Sequence, residues 1–140
     1  MTQINKNITD NQTEYLHEDI TSKIIAGFYK VYNTLGYGFL EKVYENSLYI
    51  ELKKMGLLAE KQKPVDVFYE SELVGEYVAD LIVENKVIIE LKAAKDICEE
   101  HEFQLINYLK AAKIEIGLLL NFGKKPQIKR KVFTNDKKSV

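Results

Sequence analysis

The sequence predicts an α/β domain with a mixed central β-sheet flanked by helices. Apolar residues recur at helical spacing in three segments, strand-like apolar runs lie between them, and the resulting order is helix, three strands, helix, strand, with an extra helix in front. A chain of 140 residues with 46% hydrophobic content can bury one sizeable core and leaves little for a second domain. We therefore expect a single domain over residues 16–134, between a disordered tail (1–15) and a basic tail (135–140).

The two N-terminal helices are separated by glycines. Apolar residues at helical spacing predict the first helix from about Glu18 to Leu35, and Gly36 and Gly38 end it. The second is expected from about Phe39 to Met55, with Gly56 as its C-cap.

Three strands are expected next. The first covers Leu58 to Tyr69 and is interrupted by Pro64. Residues Tyr77–Val83 and Val87–Leu91 are rich in Val, Ile, Leu and Tyr, and the polar segment between them, centred on Asn85, predicts a hairpin.

The C-terminal part of the chain predicts a helix and two strands. The helix runs from about Cys98 to Lys113, and the apolar segment Ile116–Phe122 reads as a buried central strand. A short amphipathic strand, Gln127 to Phe133, completes the sheet.

The hairpin carries charges in an apolar setting. With a turn centred on Asn85, Asp80 lies opposite Glu90 and Val78 opposite Lys92, all on one side of the sheet. The other side is apolar and should pack on a core; it consists of Ala79, Leu81, Val83, Val87, Ile89 and Leu91.

Like charges directly opposite each other destabilise a sheet by up to roughly 1 kcal/mol. A divalent cation such as Mg²⁺ would turn the repulsion between Asp80 and Glu90 into chelation, and Lys92 would meet the negative charge of a phosphate substrate. The alternative is a surface ladder in which Lys92 and a neighbouring cation neutralise the acids. The apolar context favours a cleft.

The hairpin resembles the motif of the PD-(D/E)XK nuclease superfamily, because Asp80 and the Glu90–Lys92 segment have the spacing of that motif. Ala79 stands where the motif has its proline. The segment from Gly38 to Tyr44 reproduces the G-x-x-E-x-x-Y signature of a small bacterial and archaeal family within that superfamily. The segments HEFQLINYL and GLLLNFG are also similar to it, and the resemblance extends from about residue 20 to about residue 133.

This resemblance implies a restriction-endonuclease-like fold and hydrolysis of phosphodiester bonds in a nucleic acid. The residues do not distinguish DNA from RNA, and DNA is the partner we expect. It implies that Asp80, Glu90 and the main-chain carbonyl of Leu91 hold one or two Mg²⁺ ions, with Mn²⁺ as a substitute. Lys92 would stabilise charge on the attacked phosphate or position the attacking water.

Helix residues complete the expected site. The motif points to Glu41 as a further catalytic and metal-binding acid, held directly or through water. Glu45 is the alternative, because one helical turn moves a carboxylate only about 5 to 6 Å along the axis.

Gln104 and Tyr108 match the Q-x-x-x-Y element of several superfamily branches, which implies a role in orienting the substrate or the lysine. His101, on the same stripe, is a candidate phosphate contact.

Charge and targeting signals narrow the expected partners. A formal net charge of −1 argues against a strong nonspecific polyanion binder, but basic residues cluster near the C-terminus. They could contact phosphates or form a solubilising end; the candidates are Lys124, Lys125, Lys129 and Arg130. The polar N-terminus lacks a signal-peptide pattern and no run is long enough to span a bilayer, so a cytoplasmic location without membrane contact is expected.

Two rival functions stay open at this stage. The chain could be a nucleic-acid- or protein-binding module that keeps a nuclease-like fold without turnover, or a subunit that cleaves only with a partner. A pure binder has no need for Asp80, Glu90 and Lys92 together in an apolar hairpin, which favours the hydrolase. A homodimer is a further expectation, because two sites would cut two strands.

Overall fold

The computed structural model describes residues 16–138, so the predicted N-terminal tail lies outside the described residues. Three helices and five strands follow one another in the predicted order. They are α1 (Glu18–Leu35), α2 (Glu41–Lys54), β1 (Ala59–Tyr69), β2 (Glu72–Val83), β3 (Val87–Lys92), α3 (Glu99–Ala111), β4 (Ile116–Phe122) and β5 (Pro126–Val132). A 3-10 turn at Asn135–Lys137 follows β5.

The five strands form one mixed sheet in the order β1-β2-β3-β4-β5. Neighbouring strands are antiparallel except β3 and β4, which are parallel and are connected through α3. The predicted mixed sheet is confirmed. β1 continues through Pro64, which the sequence pattern indicated as an interruption, because β1 is an edge strand and one side of its backbone needs no ladder partner.

Helices cover both faces of the sheet. One core cluster joins α1 and α2 to one face and includes Phe28, Leu48 and Leu81. A second, smaller cluster joins α3 to the other face and includes Leu105 and Leu119. The central strands β3 and β4 are therefore buried on both sides, which explains their continuous apolar sequences.

The hairpin register is the predicted one, but one facing assignment was wrong. Leu81 pairs with Ile89, as a turn centred on Asn85 requires. Ala79, however, belongs to the cluster under α3, whereas Leu81 belongs to the cluster on the opposite face. The inward-outward alternation of β2 thus inverts across Asp80. Beside it, Gln62 of β1 has a left-handed backbone (φ 53°), which a regular strand does not contain.

The outer half of the β1–β2 ribbon has no third strand beside it in the described fold. We call residues 66–76 the arm: it runs from the pair Asp66–Glu76 to the turn at Glu70 and Ser71. Pairing between β2 and β3 begins only at Leu81. Four large apolar side chains of the arm are exposed: Phe68, Tyr69, Leu73 and Val74.

The segment after β5 is attached to the domain. The Lys138 ammonium donates to the main-chain carbonyls of Ala112 (2.8 Å) and Ile114 (3.0 Å), just after α3. Among the helices of residues 16–138, none is long and apolar enough to cross a membrane.

Candidate active site

Asp80 and Glu90 meet where the hairpin ladder stops. The Leu91 main-chain N–H donates to Asp80 Oδ2 at 2.8 Å, and the Asp80 N–H donates to Glu90 Oε1 at 3.3 Å. Each carboxylate therefore takes a main-chain donor of the other strand, in the place where a ladder carbonyl would be. The two carboxyl groups are held side by side as a result.

The environment of these carboxyls disfavours their charged forms. Only 5% of Glu90 is exposed, and burial, followed by the negative charge of Asp80, raises the pKa of Glu90 to about 9. Burial also raises the pKa of Asp80, against the hydrogen bond from Leu91, which lowers it. Without a cation, the pair holds a proton near neutral pH.

Lys92 lies close to both acids without neutralising them. Its charge lowers the pKa of Asp80 and of Glu90, but it is the weakest of the influences that act on either group. Within residues 16–138, no salt bridge joins Lys92 to Asp80 or Glu90. The arrangement differs from the surface ion-pair ladder considered as an alternative, since the acids are partly or fully buried and their cation is not bound to them.

Of the two helix acids, Glu45 is the one turned toward the pair. It is 4% exposed, its Oε2 lies 2.9 Å from Lys42 Nζ, and its Oε1 accepts from Gln62 Nε2 at 2.6 Å. After burial, its charge is the next influence that raises the pKa of Asp80. Glu41, at the first position of α2, is exposed to solvent.

Tyr44, the last residue of the G-x-x-E-x-x-Y segment, fixes where α2 begins. Its hydroxyl donates to the Gly36 carbonyl at 2.6 Å and accepts from the Phe39 N–H at 3.2 Å. Its ring stacks on Phe122 with centroids 4.2 Å apart. The tyrosine therefore ties the α1–α2 turn to the end of β4 and sets the position of both helix acids.

On the other face, α3 brings Tyr108 next to the carboxyls. Burial, and then the charges of Glu90 and Asp80, raise the pKa of Tyr108 to about 12. Gln104, one turn earlier, is exposed. His101 is engaged at the start of α3, where its Nδ1 accepts from the Cys98 N–H at 3.3 Å.

The four basic candidates do not form one surface. Lys124 and Lys125 are exposed in the β4–β5 turn. On β5, Lys129 lies on the α3 side, since its charge acts on Glu102 of that helix, whereas Arg130 donates to the Leu16 carbonyl beside α1. Strand alternation thus separates these two neighbours onto opposite faces.

Two residues with positioning roles carried only a weak sequence signal. Asn121 is fully buried; its Oδ1 accepts from the Ala94 N–H and its Nδ2 donates to the Ala94 carbonyl, both at 2.9 Å. It anchors the chain just after Lys92, and a lone amide in an apolar strand was its only signal. A side chain at Gly123 would collide with the same Ala94 carbonyl. Gln62 lies in a polar segment, and nothing in that sequence indicated that it would contact a residue of the site.

The donor set fits a hard divalent cation. Among the described residues, no group of three or more His, Cys, Asp and Glu side chains is placed to hold a metal. Asp80 and Glu90 nevertheless offer paired carboxylates whose charge the protein does not compensate. Mg²⁺ commonly takes one or two protein carboxylates and keeps several waters, so two acids are sufficient.

Comparison with known proteins places the fold. A family model described as PD-(D/E)XK nuclease superfamily matches residues 18–131, which is most of the chain and includes the whole hairpin. The chain belongs to the PD-(D/E)XK nuclease superfamily. The superfamily generally uses divalent metals and acts on nucleic acids, which agrees with the donor set of Asp80 and Glu90.

A solved structure shares this fold over part of its length. The crystal structure of SSO0001 superimposes with a TM-score of 0.54 at 20% identity, over 67% of this chain and 50% of that one. At this identity the likeness shows the fold alone, and this chain spans about half the length of that protein. Together with the family model, this likeness confirms the restriction-endonuclease-like fold. A search of curated proteins finds no match.

Proposed function

We propose that this chain is a metal-dependent nuclease that hydrolyses phosphodiester bonds of DNA, or of RNA. The observation that carries the proposal is the contact between Asp80 and Glu90, two uncompensated carboxyls fixed by main-chain donors, with Lys92 beside them. We also propose that it belongs to the G-x-x-E-x-x-Y family, on the motif from Gly38 to Tyr44. A preference for DNA, a cytoplasmic location and a homodimer stay predictions.

In this proposal, some residues of the site bind the metal and Lys92 stabilises negative charge. Asp80, Glu90 and the Leu91 carbonyl hold Mg²⁺ or Mn²⁺. When bound, the metal supplies Lewis acidity and a water of lowered pKa. The Lys92 ammonium, free of any salt bridge to the acids, stabilises negative charge that develops on the attacked phosphate. Tyr108 lines the α3 side of the same site.

We propose Glu45 as the helix acid that acts with the pair. It is buried, it already influences Asp80, and Gln62 and Lys42 hold its carboxylate in one orientation. Glu41→Gln is the matched comparison, one helical turn away and exposed. Cleavage should fall at least tenfold in Glu45→Gln and less than that in Glu41→Gln; the reverse order would favour the residue that the motif indicates.

The test of the function is cleavage of labelled nucleic acids. Purified protein is incubated with Mg²⁺ or Mn²⁺ and single-stranded, duplex and branched DNA and RNA, alongside Asp80→Ala and Lys92→Ala. We expect cleavage by the wild type and losses of at least a hundredfold in both variants, as is typical when an electrostatic catalytic group is removed.

The metal response separates the rival functions. Lys92→Ala should keep the metal-dependent rise in melting temperature, because the lysine is not a ligand, whereas Asp80→Ala should lose it. If the wild type cleaves no substrate although metal still raises its melting temperature, the hydrolase proposal fails for the isolated chain. A binding module or a partner-dependent subunit would then be the better description.

A further inference from the structure

Residues of helix α3 and strand β2 line an open cavity of about 390 Å³ beside the candidate active site. Its lining residues are Tyr77, Glu100, His101, Phe103, Gln104 and Asn107. Two of them are aromatic and well exposed: Phe103 is 56% exposed and Tyr77 is 43% exposed. Aromatic faces open to solvent in a cavity are surfaces on which a flat ligand can stack.

Two polar residues of the cavity, Gln104 and Asn107, are unused by the fold. Gln104 and Asn107 are three apart on α3, so they share one face of the helix, and Gln104 is exposed. Neither side chain forms a hydrogen bond with any residue in the described part of the chain. Each amide offers two donors and an acceptor, which match the edges of a nucleobase. The negative charge of Glu100 would repel a phosphate group in this cavity.

One aromatic ring connects the cavity to the carboxyls. Tyr77 packs against Tyr108, with ring centroids 4.8 Å apart, and Tyr108 is the residue on which the charges of Glu90 and Asp80 act. Tyr77 also precedes Asp80 by three residues on β2. A ligand in the cavity is therefore held next to any phosphate bound at the acids.

We propose that this cavity binds an unstacked nucleobase of the substrate, next to the phosphate that is cleaved. The inference rests on the proposed function and narrows its substrate class. Bases inside a duplex have both faces covered by their neighbours, so only a single strand, an unpaired end or a flipped nucleotide can reach Phe103 and Tyr77. The substrate is accordingly single-stranded, or unpaired at the cleaved position.

Binding without cleavage tests the cavity directly. Affinity for a short labelled oligothymidylate and for a blunt duplex is measured with Ca²⁺ in place of Mg²⁺. Phe103→Ala should weaken binding of the single strand by about 5- to 150-fold, which corresponds to about 1–3 kcal/mol for one stacked base. Tyr69→Ala removes an aromatic residue of the arm that is more exposed than Phe103 (66%) and lies outside the cavity, and it should change affinity less than twofold.

A fluorescent variant reports stacking itself. The chain contains no tryptophan, so Phe103→Trp introduces a single indole at the cavity and preserves a stacking surface. It should bind oligothymidylate within twofold of the wild type, and its emission should be quenched on binding. Tyr69→Trp, the matched reporter on the arm, should show no quenching.

The outcomes separate this proposal from the nuclease proposal. If Phe103→Ala binds the single strand as tightly as the wild type and Phe103→Trp is not quenched, the cavity proposal is overturned even where cleavage is observed. Wild-type protein that binds no oligonucleotide overturns it as well. If Phe103→Ala loses affinity while the wild type cleaves nothing with Mg²⁺ or Mn²⁺, the base-binding cavity stands and the hydrolase proposal fails.

Discussion

Glu90 is held in a state that is unfavourable for the fold alone. It is a nearly buried acid on which the charge of another acid, Asp80, acts more strongly than that of Lys92, and burial is the largest cause that raises its pKa to about 9. A domain that served only to be stable would not retain Asp80 and Glu90 together. Strongly shifted carboxyls in a cleft are instead characteristic of functional sites.

The raised pKa of Glu90 predicts a pH dependence of stability in the absence of metal. Below its unfolded pKa, near 4.5, the group is protonated in both states and carries no penalty. As the pH rises toward about 9, the unfolded chain releases the proton while the folded protein retains it, so the free energy of unfolding falls. Each unit by which the pKa in the folded protein exceeds the pKa in the unfolded chain lowers the free energy of unfolding by about 1.4 kcal/mol at a pH above both values.

Glu90→Gln removes this dependence. With EDTA present, we expect the melting temperature of the wild type to fall more steeply between about pH 5 and about pH 8 than that of the variant, and the variant to be the more stable at the higher pH. Glu76→Gln on the exposed arm is the control. A Glu90→Gln curve parallel to the wild type would contradict the assignment.

At the scale of elements, the close packing of α3 on β4 contrasts with the arm, beside which the described fold has no third strand. Helix α3 approaches β4 so closely that a Cβ at Gly117 would lie 2.7 Å from Leu105 Cδ1. The arm, by contrast, is a two-stranded ribbon with four large apolar side chains exposed. A ribbon of two strands is only marginally stable by itself. Local stability should therefore differ strongly along the chain.

Gly117→Ala tests the α3–β4 contact. The added methyl group displaces Leu105 in a packed core, and we expect a loss of about 1–3 kcal/mol in the free energy of unfolding, measured by urea denaturation. Gly75→Ala is the matched control, since a methyl group added there would have no heavy atom within 4 Å and the backbone at this position needs no glycine. Equal stabilities of the two variants would show that the contact relaxes freely.

Hydrogen exchange tests the arm. Main-chain amides of Phe68 to Val74 should exchange much faster than those of Ile88 and Ile89 in β3, because local opening of the arm breaks few buried contacts. Protection of the arm equal to that of β3 would mean that another surface covers it in solution.

At the scale of the whole molecule, the candidate site depends on every layer. The sheet contributes Asp80 and Glu90, α2 contributes Glu45, and α3 contributes Tyr108. Asn121 of β4 holds the segment after Lys92. A cation that joins the two strands at their divergence should therefore stabilise the entire domain.

Metal binding should accordingly raise global stability. Mg²⁺ or Mn²⁺ at about 100 times its Kd is expected to add about 2.7 kcal/mol to the free energy of unfolding, seen as a rise in melting temperature that EDTA reverses. Asp80→Asn should abolish the rise, and Asp66→Asn, on the exposed arm, should keep it. An unchanged response of Asp80→Asn would place the metal elsewhere.

The sequence determined the order of helices and strands, the register of the β2–β3 hairpin and the contact between Asp80 and Glu90. These features follow from local periodicity and from a turn centred on Asn85, which act over a few residues. Ends of elements were less well defined: β1 runs through Pro64, and α3 is Glu99–Ala111, shorter than expected.

Only the tertiary structure decided the rest. It assigned Ala79 to the α3 side, directed Glu45 rather than Glu41 toward Asp80, and opened the cavity at Tyr77 and Phe103. Glu41 and Glu45 have the same residue type on the same helix, and no local pattern states how that helix is rotated against the sheet. That rotation is set by contacts between residues far apart in the chain, such as Tyr44 on Phe122.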